Sequence, residues 1–476
     1  MTIDIDAGHK YVAPVAVLAG LELRAGRRLS AHVPEHPPDP AGTLAPEFSR
    51  VRGSCQPGAG QEVAQMQALV FGVQPGPRGD EPGADANYLV RNLYHSPMAL
   101  TEIPDPPLLG DDWVVLENRI TGICGSDSKQ VFGDMGGETD LTMTAFISFP
   151  HVLGHEVIAT VAEVGPAATG VEVGQRVALN CWLTCGPRGV DPVCPQCAAG
   201  NFSQCWSFVD GRITPGIHSG NSSDATGGFA PRLPAHDSMC IPVPDDLPDE
   251  VAVLADPFAV SLHAILNNPP PDDGRAVVWG AGALGTAAIA ILRALHPSVA
   301  VAAVVRHPAQ QALARKLGAH VVDSEREPEA IVVDLADWSG ARLLSPWEGL
   351  PITHPGHIHN IYDSIASPAS LEQGLRVLGS RGTICVTGVH GPGAFTWGPW
   401  YFKEARLVGS NAFGIETVDG VRQHAIAHYF DLVRDGRIDI SPMLTHTFRL
   451  EEWRDAFTTI AEQHDTGAIK VAFDFR

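Results

Sequence analysis

The chain has 476 residues, enough for two ordinary domains with sizeable cores. Its 44% hydrophobic content and mean hydropathy near zero are those of a soluble globular protein, and no run approaches the roughly 20 apolar residues of a membrane span. With 54 acidic against 32 basic residues the net charge is −22, which argues against a nucleic-acid surface, since that needs clustered Lys and Arg.

The start, MTIDIDAGHK, is acidic where a secretory signal is basic, and only a brief apolar run follows, so a cytoplasmic protein is expected. Residues 1–65 are rich in Pro, Gly, Ala and charge without strand or helix periodicity. They read as a disordered extension, or as sequence ahead of a true start near Met66. From Met66 the short β-branched runs MQALVF, DWVVLENRI, HEVIATVAEVG and QRVALN, set between Gly, Pro and Asp, predict a β-rich domain over 66–257. Over 258–410 strand-like AVVWG, VAVAAVV, HIHNIYDSI and TICVTGV alternate with helical TAAIAILRAL, AQQALARKLGA and LEQGLRVL. That alternation predicts parallel βαβ units. Residues 411–476 return to mixed texture, with a helix in EEWRDAFTTIAEQ and a strand in IKVAFDF. The fold class is therefore α/β, with a doubly wound parallel sheet beside a β-rich domain.

Three motifs carry chemistry. Cys124, in ITGICGSD, precedes His155, in VLGHE, by 31 residues, and Glu156 adjoins it. A soft thiolate, an imidazole and a carboxylate beside glycine turns make a donor set that suits zinc. Next, Cys194-Pro-Gln-Cys197 is followed after seven residues by Cys205, giving three corners of a closed tetrahedral zinc site. The fourth corner is Asp191, or else Cys185 or Cys181 looping in. Five cysteines within 25 residues read as metal binding rather than crosslinking in a reducing compartment. Finally, Gly280-Ala281-Gly282-Ala283-Leu284-Gly285 follows the strand AVVW and opens a helix, the pattern that places a dinucleotide pyrophosphate on a helix N-terminus. At the end of the second strand Val305-Arg306-His307 offers no carboxylate for a ribose. Arg306 could meet the extra phosphate of NADP, a slight lean away from NAD. His354, His357 and His359 lie in or beside a Pro/Gly-rich loop and read as no site.

In this order the motifs resemble the zinc-dependent medium-chain dehydrogenase/reductase family of alcohol, polyol, sugar and threonine dehydrogenases. GHEVIATVAEVG, VGQRVALN, GGFAPRL, ADPFAVSLHA, GAGALG and YFKEARLVGS extend the likeness from Met66 to the C-terminus. The resemblance implies a GroES-like catalytic domain (66–257 and 411–476) interrupted by a Rossmann domain (258–410), the active site lying between them. It also implies catalytic-zinc ligands at Cys124, His155, Glu156 and Asp256. Ser126 then passes the substrate proton, and Asp127 orients His155. Lys129 departs from the histidine that ends the proton relay in many relatives. Residues 134–150, 206–226 and 336–356 look longer than in compact members, the first two near the cleft.

The implied reaction is hydride transfer between an alcohol and NAD(P), with zinc polarising the oxygen. The same site run as an aldehyde or ketone reductase is the nearer alternative. A catalytically inactive NAD(P)-binding protein is the more distant one. A small-molecule alcohol or carbonyl substrate and a homo-dimer or homo-tetramer are expected.

Overall fold

A computed structural model describes residues 64–76, 79–134, 142–388 and 393–476. Residues 1–63 of the expected extension lie outside the described residues. The four β-branched runs form strands as anticipated: Gln65–Phe71, Trp113–Gly122, Glu156–Val164 and Arg176–Leu179. The last three belong to a seven-stranded, mainly antiparallel sheet. Its order is Leu444–Phe448, Lys470–Asp474, Trp113–Gly122, Glu156–Val164, Arg176–Leu179 and Cys240–Pro242, with Arg232–His236 also paired to Trp113–Gly122. The C-terminal strand Lys470–Asp474 thus returns to pair with Trp113–Gly122, and brings Lys470 beside Ile123, 347 residues earlier in the chain.

The second layer system is a six-stranded, all-parallel sheet in the order His320–Asp323, Ala300–Val305, Arg275–Trp279, Ile358–Asp363, Leu378–Val386, Arg406–Gly409. Two of its inner strands, Arg275–Trp279 and Ala300–Val305, are near-continuous Ala/Val runs, as burial on both faces requires. The winding reverses between Arg275–Trp279 and Ile358–Asp363, so a crevice opens at their carboxyl ends, where Gly280 stands.

The helix Ala255–Asn267 joins the two systems. It packs on the helix Ala283–Leu295, and its Ser261 hydroxyl donates to Leu284 O at 2.8 Å. At its end Asn268 O accepts from Tyr362 Oη (2.7 Å) and Asn360 Nδ2 (3.0 Å) on the parallel sheet. Asp256 sits in its first turn.

Several helices escaped the sequence reading, among them Tyr88–His95, Ala255–Asn267, Pro328–Ser339 and Ala425–Arg434. Tyr88–His95 is only eight residues long and follows a Gly/Pro-rich stretch that hides its period. Asn87 caps it and also donates to Ala461 O (2.9 Å), while Leu93 enters the core shared with Phe457 and Phe473.

Candidate active site

Cys124 is the N-cap of the helix Gly125–Val131, directly after the strand Trp113–Gly122. Its backbone N–H donates to Asp127 Oδ2 at 3.0 Å, so the third helical residue fixes the turn that presents the thiol. The other Asp127 oxygen lies 3.5 Å from His155 Nδ1 and accepts from the Gly154 N–H at 3.4 Å. Asp127 therefore braces both sequence-predicted donors from one buried carboxylate. Burial opposes its charge, but His155 and the Cys124 amide outweigh that and hold the carboxyl below its usual range. Ser126, in the first helical turn, is exposed.

The donor atoms of Cys124, His155 and Glu156 lie within 4.8 Å of one another. Glu156 and Lys470 form a fully buried ion pair, and Lys470 also donates to Ile123 O at 3.0 Å. Burial works against the ammonium, yet Glu156 beside it raises its pKa. Asp256 is buried but stands outside the 4.8 Å group. Its Oδ2 has no hydrogen-bond partner, and burial, with the charge of Glu156 next, pushes its carboxyl up to about 7. Soft and hard donors gathered in one buried place, with an orphaned carboxylate oxygen nearby, fit a zinc ion.

Sequence reasoning missed three neighbours of this cluster. His218 lies with its ring centroid 4.5 Å from that of His155, and Trp182 meets His218 edge-on at 6.0 Å. Burial, then the charge of His155, pushes His218 down to about 3. Cys181, weighed above for the cysteine site, belongs here instead. After burial, the groups acting on its thiol are Asp256, His155 and Cys124. No motif announces these residues, because loop closure rather than spacing brings them in.

The second cluster gathers around Cys185, one of the fourth corners that the sequence left open. Cys185, Cys194, Cys197 and Cys205 present their sulfurs within 4.8 Å of one another, whereas Asp191 is exposed and outside the group. The residues between Cys185 and Cys194 loop out, which hid the pairing from the spacing. Backbone N–H groups of Cys194, Cys197 and Ser207 point at the sulfurs of Cys185, Cys194 and Cys205 (3.3, 3.5 and 3.3 Å). All four are free thiols. Four thiols with amide donors behind them fit a closed structural zinc. Within the loop Arg188 is fully buried, donating to five carbonyls: Leu183, Asp210, Ile213, Thr214 and Gly216.

At the crevice, Gly280 adopts φ +82°, a left-handed turn that favours glycine. A Cβ on Gly285 would collide with the Gly280 carbonyl oxygen, so only glycine lets this helix approach its strand. Around Gly282 the space is open, as a bound pyrophosphate requires, and Ala283 and Leu284 begin the helix. Arg306 is exposed at the end of Ala300–Val305, 3.3 Å from Glu325, and its charge partly offsets the burial and the Asp134 charge that push the Tyr88 phenol up. His357 and His359 are held by Ser339 O (3.1 Å) and the Arg275 N–H (3.1 Å), and the His354 ring lies tilted against Phe402 at 5.4 Å. Among the described residues none of the three joins a metal-binding group. No helix among the described residues is long and apolar enough to cross a membrane.

Residues 110–245 match the family model of the alcohol dehydrogenase GroES-like domain, and residues 283–426 that of the zinc-binding dehydrogenase. The chain is 26% identical over 387 residues to the (R,R)-butanediol dehydrogenase of Saccharomyces cerevisiae, covering 78% of this chain and 93% of that protein. The fold is shared with acetophenone reductase from Geotrichum candidum in complex with NAD (TM-score 0.62, 19% identity, 87% of this chain and 98% of the other). It is shared as well with a zinc-binding dehydrogenase from Sinorhizobium meliloti bound to NADP (TM-score 0.61, 21% identity, 86% and 99%). The chain belongs to the zinc-dependent medium-chain dehydrogenase/reductase family, as an alcohol dehydrogenase-like oxidoreductase.

Proposed function

We propose that the protein transfers a hydride between an alcohol (primary, secondary, polyol or sugar) and NAD(P), at a zinc held by Cys124, His155 and Asp256 with Glu156 at or behind it. The buried meeting of thiol, imidazole and carboxylate beside the exposed Ser126 carries this reading. Zinc supplies the Lewis acidity that lowers the pKa of a substrate hydroxyl, and the nicotinamide ring takes the hydride. Asp127 turns His155 Nδ1 toward itself, leaving the other ring nitrogen for the metal. Lys470 holds Glu156 in an ion pair, which favours the place behind the metal for that carboxylate. Ser126 takes the hydroxyl proton as it gives its own to water, which its exposure allows without help from Lys129. Cys185, Cys194, Cys197 and Cys205 keep a second, structural zinc.

Gly280, Gly282, Ala283, Leu284 and Gly285 receive the pyrophosphate, and Arg306 the additional phosphate of NADP. A panel of alcohols, polyols, sugars and their carbonyl products, run with both cofactors, tests the reading. Turnover with two zincs per chain is expected, and the favoured direction separates dehydrogenase from reductase. Arg306→Ala should raise KM for NADP about 10- to 100-fold, the value of a lost charge-assisted contact, and leave NAD unaffected. Equal effects on both cofactors would remove the lean toward NADP.

The edge of the parallel sheet supports a homo-oligomer. Arg406–Gly409 is its edge strand, and Trp397, Trp400, Tyr401 and Phe402 stand exposed just before it. Pairing two such edges about a twofold axis covers both the open ladder and the aromatic patch. Light scattering should give a dimer or tetramer that Trp400→Asp with Tyr401→Asp reduces to a smaller species. An unchanged mass would place the interface elsewhere.

A further inference from the structure

We infer that His218 is a positioning residue for His155, held in place by a knot that ties two separate loops to the metal site. The inference rests on the zinc reading of that site. Ser219 O only accepts, so His218 Nδ1 donates to it (2.6 Å), and Nε2 then accepts from Asn221 Nδ2 (3.0 Å). Asn221 Oδ1 also takes the His218 backbone N–H (3.1 Å), so one amide clamps both ring and chain. With both ring nitrogens engaged, His218 offers neither a metal ligand nor a proton carrier. What remains is its ring, tilted 47° to that of His155 with the centroids 4.5 Å apart, and met edge-on by Trp182. Asp127 touches only one edge of His155, at a long 3.5 Å, so the opposing ring is what limits the imidazole's swing.

The clamp is continuous with the second loop. Asn221 O accepts from the Ser148 N–H (3.2 Å), and the Ser148 hydroxyl donates to Pro215 O (2.8 Å) while accepting from the Ser223 N–H (2.9 Å). Ser148 O in turn meets His151 Nδ1 at 2.8 Å. Two segments more than 60 residues apart are thereby one rigid unit, and its contact with the catalytic cluster is the His218 ring.

Cobalt replacing zinc gives a visible spectrum that reads ligand geometry, and a Cys124→Ala control subtracts the bands of the cysteine site. In His218→Ala the wild-type catalytic-site bands should shift, and metal release to a chelator and kcat should each suffer about 10- to 100-fold, as for other groups that orient a ligand. KM for the nicotinamide cofactor should stay as in wild type, which a general loss of structure would not allow. His218→Phe, which keeps a ring there but loses its bonds to Ser219 O and Asn221, should fall between His218→Ala and wild type in both bands and kcat. Should the alanine variant not fold, Asn221→Ala releases the ring within a folded chain and should act in the same direction. Unchanged bands and release in the Ala and Asn221 variants, or a Phe variant no better than Ala, would overturn the positioning role. A wild type that binds cobalt only at the cysteine site would instead overturn the zinc reading, and the inference with it.

Discussion

Cys124→Ala should abolish alcohol oxidation, on the order of 10³-fold or more in kcat/KM, while the protein keeps its fold and its affinity for the cofactor. The expectation of a silent fold comes from the residue's position. Its thiol is only half-buried and lies outside the hydrophobic clusters, and the bond that shapes the turn uses the backbone N–H to Asp127, which alanine retains. The expectation of a silent cofactor comes from Gly280–Gly285 standing on the other sheet. Metal analysis should fall from two zincs per chain to one, and titration with the reduced cofactor should match wild type. Retained turnover would sink the role of zinc at Cys124.

The largest effect on stability is expected from Arg188→Met. The wild-type guanidinium is fully buried with five carbonyl partners, and burial depresses its pKa only to about 10, so it stays charged at neutral pH. Methionine fills the space of the stem but leaves those carbonyls without a donor. Each unsatisfied buried acceptor costs about 1–3 kcal/mol, and since water can reach some of them the total is about 3–5 kcal/mol. Lysine should rescue only partly, having three donors on one atom instead of a planar fork. Because Arg188 joins the cysteine loop to residues 208–216, the loss should show as a lower thermal midpoint and faster zinc release from the cysteine site. A midpoint equal to wild type would mean the carbonyls find other donors.

Local chemistry was legible from the chain alone. Short β-branched runs between Gly, Pro and Asp gave the antiparallel strands, and the βαβ alternation gave the parallel sheet. Cys124, Asp127, His155 and Glu156 lie close because one strand, one turn and one neighbouring strand carry them, so spacing alone could bring them together. Lys470 and His218 were illegible for the opposite reason. One arrives on the C-terminal strand and the other on a loop closed by Ser148 and Asn221, and neither pairing leaves a periodic trace. The corner at Cys185 needed the intervening loop to be folded out before its sulfur could be counted.

Asp256 differs from the other candidate donors in its mounting. Cys124, His155 and Glu156 are fixed to the antiparallel sheet, whereas Asp256 rides on a helix whose side and far end are bolted to the parallel sheet through Leu284, Asn360 and Tyr362. A few degrees of rotation of one sheet against the other would leave three donors in register and swing the fourth. The proposed donor set is thus mounted on two different sheets, with Asp256 the member that the parallel sheet carries.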